Sequence, residues 1–526
     1  MDVLVLGGGH NGLVCACYLA AAGHRVTVLE RRDEPGGATR SQEVFAGVPV
    51  RLSVYSYLVS LLPEHIIEEL GLDITLAPRQ VASYTPDPDG PGRGLLLAPD
   101  AGRAAAAIHD FTGRSSDAEG YLHFQRMCSR LAATIAGSLT EPLPSEAELR
   151  GRVGDDRLWQ AFTRVPIAET LCELIGDDLV RGVLATDAVI GTFARSDDPT
   201  LAQNRCLIAH VIGRGTGQWR VPVGGMGALV DALCRRARTL GVTILTGVAA
   251  VAVDADHRGA SVTCTVDGRL RRFTGDALAA GVPEHTLLRL LGQTPPELTD
   301  RTAGCQVKVN LVLSRLPRLH DPAVTAQAAF SGTFHCQQTL TALDRAHDAA
   351  VAGRLPSPLP IEAYCHSLTD ETILAEHLRG TGVHTLTLFG LHTPHRLFTG
   401  TCDAQAAGRA ALASLDTVLA EPLQDCLLID ADGRPCLDVA TPVDLEQQLG
   451  LPGGNIFHTP LRWPFVPADG TPQDGSSLVR ADVGTWGVAT DIPRLVVCGS
   501  SAARGGAVSG IPGHNAARHL CEILRN

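Results

Sequence analysis

Three glycines near the start of the chain have the G-x-G-x-x-G spacing of a pyrophosphate-binding turn. Gly7 and Gly9 follow the apolar run VLVL, and Gly12 lies at the start of a predicted helix over residues 11–22. The first glycine permits the turn, the second lets the backbone approach a pyrophosphate, and the third lets the helix pack closely on the strand. The amides at the start of that helix, around Asn11, would hold the phosphate oxygens.

An acidic residue stands at the end of the next predicted strand. Glu30 follows RVTVL, eighteen residues after Gly12. A carboxylate there accepts hydrogen bonds from a ribose diol and repels a 2′-phosphate, which favours FAD or NAD over NADP. Gly36 and Gly37 then offer a second close backbone approach, which suits the longer FAD. The sequence contains no second strand, glycine turn and helix unit for NAD(P)H.

A doubly wound sheet is needed to bring such motifs together. Residues 224–245 predict a helix and a strand, and residues 275–292 predict a strand, a turn and a helix. Residues 495–524 predict a buried strand, the glycine-rich turn GGAVSGIPG and a last helix. A helix followed by a strand is the returning half of a doubly wound α/β sheet.

The middle of the chain differs in pattern. Residues 80–100 predict a hairpin, and residues 101–212 are mostly helical in pattern. Residues 300–475 mix strand-like runs with helices and predict a second sheet. Residues 57–72 have the apolar spacing of a core helix, with weak contact to a membrane surface as the alternative.

Composition excludes several classes of protein. The chain has 526 residues, a net charge of −12 and 45% hydrophobic residues, which is typical of a globular protein with more than one domain and disfavours nucleic-acid binding. Fifteen cysteines occur without C-x-x-C, as expected for reduced core thiols in the cytoplasm. No apolar run reaches the length of a membrane span. The histidines between 366 and 395 fit no zinc spacing, so no metal is expected.

Four pieces occur in order: GGGHNG with Glu30, GGATRS, VPVGGMGAL with its helix and strand, and the closing strand with GGAVSGIPG. Together they resemble the FAD-dependent phytoene desaturase-like family of the amine-oxidase superfamily. SVYSYLVSLLP, QVKVNLVLSRLP and GGNIFH are similar to the branch typified by pyridine nucleotide-disulfide oxidoreductase domain-containing protein 2. The resemblance covers nearly the whole chain.

The resemblance implies an α/β protein with a discontinuous Rossmann-like FAD-binding domain and an interleaved α+β substrate domain that includes a helical cap. The FAD-binding domain would take residues 1–75, 215–292 and 475–526. The substrate domain would take residues 76–214 and 293–474. The implied reaction is dehydrogenation or desaturation of a small-molecule substrate, apolar or another metabolite, with hydride passing from a C–C or C–N bond to flavin N5.

The glycine motifs and the resemblance together imply a set of cofactor-binding residues. They are Gly7, Gly9, His10, Asn11, Gly12, Glu30, Arg31, Gly36, Gly37, Ala38, Thr39, Ser56, Ala250, Gly499, Ser500, Gly506, Val508, Ser509 and Gly510. Two positions depart from the family pattern. Ala38 stands where arginine typically follows the double glycine, with Arg40 two residues on, and Ser500 stands where an acid often follows the last strand.

Three residues are candidates for catalysis. Lys308 is a single cation in the apolar strand QVKVNLVL and resembles a lysine that recurs in the branch; an outward strand position beside Gln306 and Asn310 is the alternative. His458, in GGNIFH, is a base, a hydrogen-bond partner of the flavin or a core histidine. Tyr57 lines the pocket near the flavin ring or packs in the core.

Two further functions stay open at this stage. A flavin amine or amino-acid oxidase would release hydrogen peroxide, whereas a non-enzymatic FAD- or partner-binding protein would keep its flavin oxidised. For the enzyme, the expected electron acceptor is O2 or a quinone-type molecule. The sequence leaves the oligomeric state open.

Truncation before Arg504 is expected to abolish FAD retention, because the turn Gly505–Gly510 would complete a site that begins at Gly7. The visible spectrum of the purified protein measures this directly. A truncated protein that stays yellow would refute the prediction.

Overall fold

The computed structural model describes all residues except 58, 60, 91, 214–218, 401, 469–477 and 526. The domain boundaries predicted at 214/215 and 474/475 therefore lie outside the described residues, as do two positions of the run SVYSYLVSLLP. The boundaries at 75/76 and 292/293 stay predictions. The described residues form nineteen strands and sixteen α-helices.

The strands are β1 Asp2–Leu6, β2 Arg25–Leu29, β3 Ser41–Glu43, β4 Arg51–Ser53, β5 Leu76–Pro78, β6 Ser83–Pro86, β7 Gly94–Leu97, β8 Arg220–Pro222, β9 Thr243–Leu245, β10 Ala249–Ala255, β11 Ala260–Val266, β12 Arg269–Gly275, β13 Ala277–Ala280, β14 Val307–Leu313, β15 Thr333–Cys336, β16 Ile361–Tyr364, β17 His384–Gly390, β18 Leu437–Ala440 and β19 Leu495–Val497.

The α-helices are α1 His10–Ala21, α2 Glu64–Leu70, α3 Ala101–Thr112, α4 Ser115–Ser138, α5 Glu146–Val153, α6 Asp156–Thr163, α7 Ile167–Leu174, α8 Asp178–Val189, α9 Ala202–Val211, α10 Met226–Thr239, α11 Glu284–Leu290, α12 Ala326–Phe330, α13 Leu340–Val351, α14 Ala404–Asp416, α15 Pro442–Leu449 and α16 Ile511–Ile523.

A five-stranded parallel sheet carries the sequence motifs. Its order is β19-β13-β1-β2-β9, so the first strand of the chain lies at the centre and the last strand lies at one edge. Leu6 is in register with Leu29 on one side and with Ala280 on the other. Because the strands are parallel, the turns that follow them meet at one edge of the sheet. The strands that the sequence predicts before Gly7, before Glu30 and within residues 224–245, 275–292 and 495–524 are confirmed as β1, β2, β9, β13 and β19.

The last helix packs directly on the first. Gly510, with φ +71°, is the N-cap of α16, and Gly513 lies against the backbone of α1. A Cβ atom at Gly513 would lie 2.1 Å from the carbonyl oxygen of Asn11. The prediction that GGAVSGIPG is a turn feeding a final helix is confirmed, and the helix begins three residues earlier than the apolar pattern indicated.

A second large sheet has seven strands, in the order β18-β14-β17-β16-β15-β6-β7. The predicted hairpin is confirmed as β6 and β7, which pair antiparallel and join this sheet through β15. The predicted strand-like runs are β14 and β17, which also pair antiparallel. Helices α3–α9 cover the mostly helical stretch, and their apolar faces form a core of their own.

Residues 57–72 do not form one continuous helix, contrary to the expectation from their apolar spacing. The helix α2 begins only after Pro63, and it buries Ile66 and Leu70. In the part of the chain that the structure describes, no helix has both the length and the apolar character needed to cross a membrane.

The close contact of α16 with α1 makes Gly513 intolerant of a side chain. We expect Gly513→Ala to lower the thermal midpoint, because overpacking of a close backbone contact costs about 1–3 kcal/mol. Gly137→Ala is the matched control, because a Cβ at Gly137 meets no atom within 4 Å. On an exposed helix that change is neutral or stabilising. Equal thermal midpoints for the two variants would contradict the packing argument.

Candidate functional site

A cavity of about 290 Å³ lies at the carboxyl edge of the parallel sheet. Thirteen of the sequence-predicted residues line it. They are Gly7, Gly9, His10, Asn11, Gly12, Glu30, Arg31, Gly37, Ala38, Ala250, His458, Gly499 and Ser500. The structure therefore brings together predicted residues from the start, the middle and the end of the chain.

The glycine turn has the geometry that its spacing predicts. Gly7 has φ +98°, which an L side chain rarely adopts. A Cβ at Gly12 would lie 2.2 Å from the carbonyl oxygen of Gly7, so the helix can approach the turn only without a side chain there. A Cβ at Gly9 would meet no atom within 4 Å, because Gly9 faces the cavity. The space beside Gly9 is thus left for a ligand.

The carboxylate of Glu30 is buried and held by the backbone. Its Oε2 accepts a hydrogen bond of 2.8 Å from the amide of Gly8, and its Oε1 accepts one of 2.9 Å from the amide of Arg32. Each carboxylate oxygen has further lone pairs, so the oriented group can still accept hydrogen bonds from a ligand.

The double glycine packs against the first turn. The amide of Gly36 donates to the carbonyl oxygen of Gly8 at 2.8 Å, and Gly36 and Gly37 have φ +127° and +54°. Behind them, Thr39 Oγ1 donates to the carbonyl oxygen of Gly36 and lies 3.1 Å from His10 Nδ1. The two glycine motifs thus form one continuous backbone cradle.

The segment after the double glycine is held from behind. Ser56 donates from its amide and its hydroxyl to the carbonyl oxygen of Ala38. On the opposite rim, the guanidinium of Arg31 donates to the backbone carbonyl of Gln448, which ties the end of β2 to α15. Gly36, Thr39 and Ser56 therefore support the cavity wall, whereas Ala38 and Arg31 line it.

Three buried polar atoms around this cavity have no hydrogen-bond partner among the described residues. They are His10 Nε2, Asn11 Oδ1 and His458 Nδ1. Buried polar groups in proteins are nearly always paired, so such atoms fit a polar ligand in the cavity. Burial lowers the pKa of His10 and of His458 to about 4, which makes both imidazoles neutral at pH 7 and His458 a weak base.

The C-terminal turn borders a smaller cavity of about 60 Å³. Gly506 and Ser509 line it, and Ser500 is shared with the larger cavity. Val508 and Gly510 line neither cavity; a Cβ at Gly510 would contact Leu62 and Val14. The predicted contacts of Val508 and Gly510 with a cofactor therefore stay predictions.

Lys308 is buried, and the expectation of an outward strand position is wrong. Every residue of β14 is buried, because the strand lies inside the seven-stranded sheet and is covered on both faces. The Lys308 ammonium donates to the carbonyl oxygens of Ser53 and Tyr55. Burial lowers its pKa to about 7. Lys308 thus holds the segment that leads to Tyr57.

Lys308 is also the only lysine in the chain, since every other basic side chain apart from histidine is arginine. An arginine cannot lose its proton in a protein, whereas a buried lysine can. The sequence could therefore have marked Lys308 as unusual by its being the single lysine. The alternating pattern of its strand, in contrast, gave no sign that the side chain is buried.

Tyr57 lies in an aromatic cluster that sequence patterns did not reveal. Its ring centroid lies 4.5 Å from that of Tyr364 and 4.3 Å from that of Phe389, and Trp219 lies at 6.3 Å. The hydroxyl of Tyr57 donates to that of Tyr364 at 3.3 Å. Tyr57 follows Ser56, which contacts Ala38 in the wall of the 290 Å³ cavity, and its neighbours Tyr364 and Trp219 line a second cavity.

The second of these cavities has a volume of about 770 Å³ and lies between helices α4 and α8 and the seven-stranded sheet. Arg79, Asp187, Glu362 and Tyr364 are among the residues that line it. Sequence reasoning missed them, because they come from three distant segments with no motif around them: Glu362 and Tyr364 share β16, whereas Arg79 follows β5 and Asp187 lies in α8. In the described part of the chain, no group of His, Cys, Asp and Glu side chains is arranged to hold a metal ion.

Residues 5–61 match the family described as an NAD(P)-binding Rossmann-like domain. The uncharacterized protein Rv0897c of Mycobacterium tuberculosis is 48% identical over 530 residues, which cover 99% of this chain and 97% of the relative. Pyridine nucleotide-disulfide oxidoreductase domain-containing protein 2 of Rattus norvegicus is 30% identical, over 100% of this chain and 94% of the relative. The lycopene-forming phytoene desaturase of Pseudescherichia vulneris is 27% identical, over 56% and 58%.

Among solved structures, putrescine oxidase bound to putrescine has a TM-score of 0.58 at 16% identity, over 100% of this chain and 99% of that chain. This similarity shows a shared fold. The fold and the sequence matches define a dinucleotide-binding oxidoreductase of the amine-oxidase and desaturase superfamily. Within it, the chain belongs to the family of pyridine nucleotide-disulfide oxidoreductase domain-containing protein 2.

The titration of Lys308 can be measured without resonance assignment, because protein grown with ¹⁵N-lysine carries one labelled side chain. We expect its Nζ signal to titrate with a midpoint near pH 7, as burial requires. A midpoint near 10.5 would contradict the buried position.

Lys308→Arg supplies the matched stability test. Between pH 7 and 9 the Lys308 side chain has lost its proton in the folded wild type, whereas the unfolded chain still binds it. The free energy of unfolding of the wild type therefore rises with pH, by up to about 1.4 kcal/mol per pH unit from this group. Arginine stays charged throughout. We expect the variant to have the lower thermal midpoint, with a gap that widens from pH 7 to 9; a constant gap would contradict this account.

Proposed function

We propose that the protein is an FAD-dependent oxidoreductase that dehydrogenates a small-molecule substrate. The observation that carries this proposal is the backbone cradle formed by the glycine turn and the double glycine. A ligand in that cradle would have its pyrophosphate at the start of α1, its ribose at Glu30 and its remaining length along Gly37 and Ala38.

The residues favour FAD among the dinucleotides. The buried carboxylate of Glu30 would repel the 2′-phosphate of NADP, and it suits a ribose diol. The cavity is lined by His458 and Ser500 as well as by the glycine turn, Glu30 and Gly37, which suits a ligand with a further part beyond a pyrophosphate and one ribose. The neutral imidazoles of His10 and His458 would donate or accept hydrogen bonds there without adding charge.

When bound, a flavin supplies an acceptor for a hydride from the substrate, so the protein needs little acid–base machinery. The chain's own residues would position the two molecules. Lys308 holds the backbone at Ser53 and Tyr55, and the next aromatic residue, Tyr57, contacts Tyr364 and Trp219 in the wall of the 770 Å³ cavity. We propose that the substrate binds in that larger cavity.

Two alternatives make different predictions. A dehydrogenase or desaturase would pass electrons to a quinone-type acceptor, whereas an amine or amino-acid oxidase would pass them to O2 and release hydrogen peroxide. The large cavity beside Tyr57 favours an enzyme over a protein that only binds FAD. We expect a cytoplasmic protein, since its fifteen cysteines are free thiols and twelve of them are buried.

The visible spectrum of the purified protein tests the cofactor, and anaerobic bleaching against a panel of metabolites tests the reaction. A colourless protein with no affinity for added FAD would overturn the proposal. Bleaching by a metabolite, with an oxidised product, would support it; peroxide formation in air would then distinguish the oxidase.

Filling the space beside Gly9 tests the cradle itself. Gly9 has φ −69°, which valine adopts readily, so we expect Gly9→Val to fold and to lose at least ten-fold in FAD affinity. The readout is the flavin content of the purified variant and its titration with added FAD. Gly137→Val, on an exposed helix surface, is the control that should retain FAD. Unchanged binding by Gly9→Val would place the cofactor elsewhere.

A further inference from the structure

The 770 Å³ cavity contains a half-buried cation, Arg79, that lacks an ion-pair partner among the described residues. Arg79 donates to Thr333 Oγ1 at 2.9 Å, and its guanidinium lies 5.9 Å from the ring centroid of Trp219 and 5.8 Å from that of Tyr364. No carboxylate among the described residues forms an ion pair with it. A guanidinium has five N–H donors in a planar fork, so Arg79 retains donors for an anion in the cavity.

The same cavity contains two carboxyl groups. Glu362 accepts hydrogen bonds of 2.6 Å from Thr186 and of 2.6 Å from Tyr364, so both of its oxygens are engaged. The carboxyl of Asp187, one residue after Thr186, has no hydrogen-bond partner in the described part of the chain and faces the cavity. Asp187 therefore offers an acceptor for a cationic donor.

Burial is the largest influence on the pKa values of these groups, and the opposite charges of Arg79 and Asp187 counteract it in part. It raises the pKa of Asp187 to about 6 and that of Glu362 to about 7, and Asp187 raises that of Glu362 further. It lowers the pKa of Arg79. A ligand that brings an opposite charge to each end would offset the cost of desolvation, whereas a hydrocarbon would leave both charges unpaired.

Other charged residues of the cavity lie toward solvent or are already neutral. Arg126 and Arg130 are exposed, and Arg130 pairs with Asp155. Burial and the charge of Arg79 lower the pKa of His335 to about 3, so this imidazole is neutral. Arg220 is a further partly exposed cation of the wall. Among the described residues, Arg79 and Arg220 are thus half-buried cations of the cavity that form no ion pair, and Asp187 is a half-buried carboxyl without a hydrogen bond. Of the two cations, Arg79 is the one that lies against the rings of Trp219 and Tyr364.

We propose that the substrate cavity binds a small zwitterion, with its carboxylate at Arg79 and its ammonium at Asp187. This inference rests on the proposed function, because it assigns a substrate class to the same site. An amino acid or a short peptide-like metabolite carries both groups, whereas an isoprenoid carries neither. The volume accommodates a molecule larger than a single amino acid.

Five six-carbon probes separate the contributions of charge. Norleucine and 6-aminohexanoate are zwitterions with short and long charge separation, hexanoate has only the anion, hexylamine has only the cation, and hexanol has neither. Titration calorimetry on the purified holoprotein should show at least one zwitterion binding ten-fold or more tightly than the three other probes. The inference would be overturned if hexanoate, hexylamine or hexanol bound as tightly as the better zwitterion. It would also be overturned if neither zwitterion bound.

Two substitutions assign the ends of the ligand. Arg79→Gln should weaken the zwitterion at least ten-fold and leave hexylamine within two-fold, whereas Asp187→Asn should weaken the zwitterion similarly and leave hexanoate within two-fold. Arg103→Gln, on the exposed surface of α3, is the control and should change neither. If a variant does not fold, the comparison of the five probes on wild-type protein still decides the inference.

Separate readouts distinguish this inference from the proposed function. A protein that neither carries nor binds FAD would contradict the proposed function, and the calorimetric comparison would still test the zwitterion. Anaerobic bleaching of the flavin by an isoprenoid alcohol, at an equal rate in wild type and Arg79→Gln, would overturn the zwitterion and leave the oxidoreductase intact.

Discussion

The structure depends on the close approach of backbones that are far apart in the sequence. Gly12 lies against Gly7, Gly36 donates to Gly8, and Gly513 lies against Asn11. The contacts of Gly12 and Gly513 leave no room for a side chain, and all three contacts surround the start of α1. Because β1 is central in the parallel sheet, the same few turns define both the sheet edge and the cofactor cradle.

A second constraint joins this cradle to the other sheet. Lys308 belongs to the seven-stranded sheet, and its ammonium binds the carbonyl oxygens of Ser53 and Tyr55. That segment continues through Ser56, which supports Ala38, to Tyr57 in the aromatic cluster. One buried amine therefore fixes the segment that supports Ala38 on one side and contacts the aromatic cluster on the other, in a chain whose other cationic side chains apart from histidine are arginine.

The two cavities are lined by different kinds of polar group. The cofactor cavity is lined by glycine backbone and by neutral imidazoles, with one carboxylate that the backbone holds in place. The larger cavity keeps Arg79 and Asp187 as charges without full partners. Such charges are costly in isolation, which is why their position beside the aromatic cluster points to a polar ligand.

The sequence alone determined the strands, turns and helices around the proposed cofactor site. G-x-G-x-x-G, Glu30 and the double glycine are local patterns, because a strand, its turn and the following helix are contiguous in the chain. The strands that flank the turn, the helix after Gly225 and the final helix were predictable for the same reason.

Only the tertiary structure decided the rest. It brought Arg79, Asp187 and Glu362 from three separate segments to one cavity, which no local spacing can encode. It also buried Lys308, whose alternation with Val307 and Val309 indicated an outward position, because residues from distant segments cover both faces of β14. Contacts between distant segments depend on the packing of the two sheets, and a single sequence does not contain that information in local form.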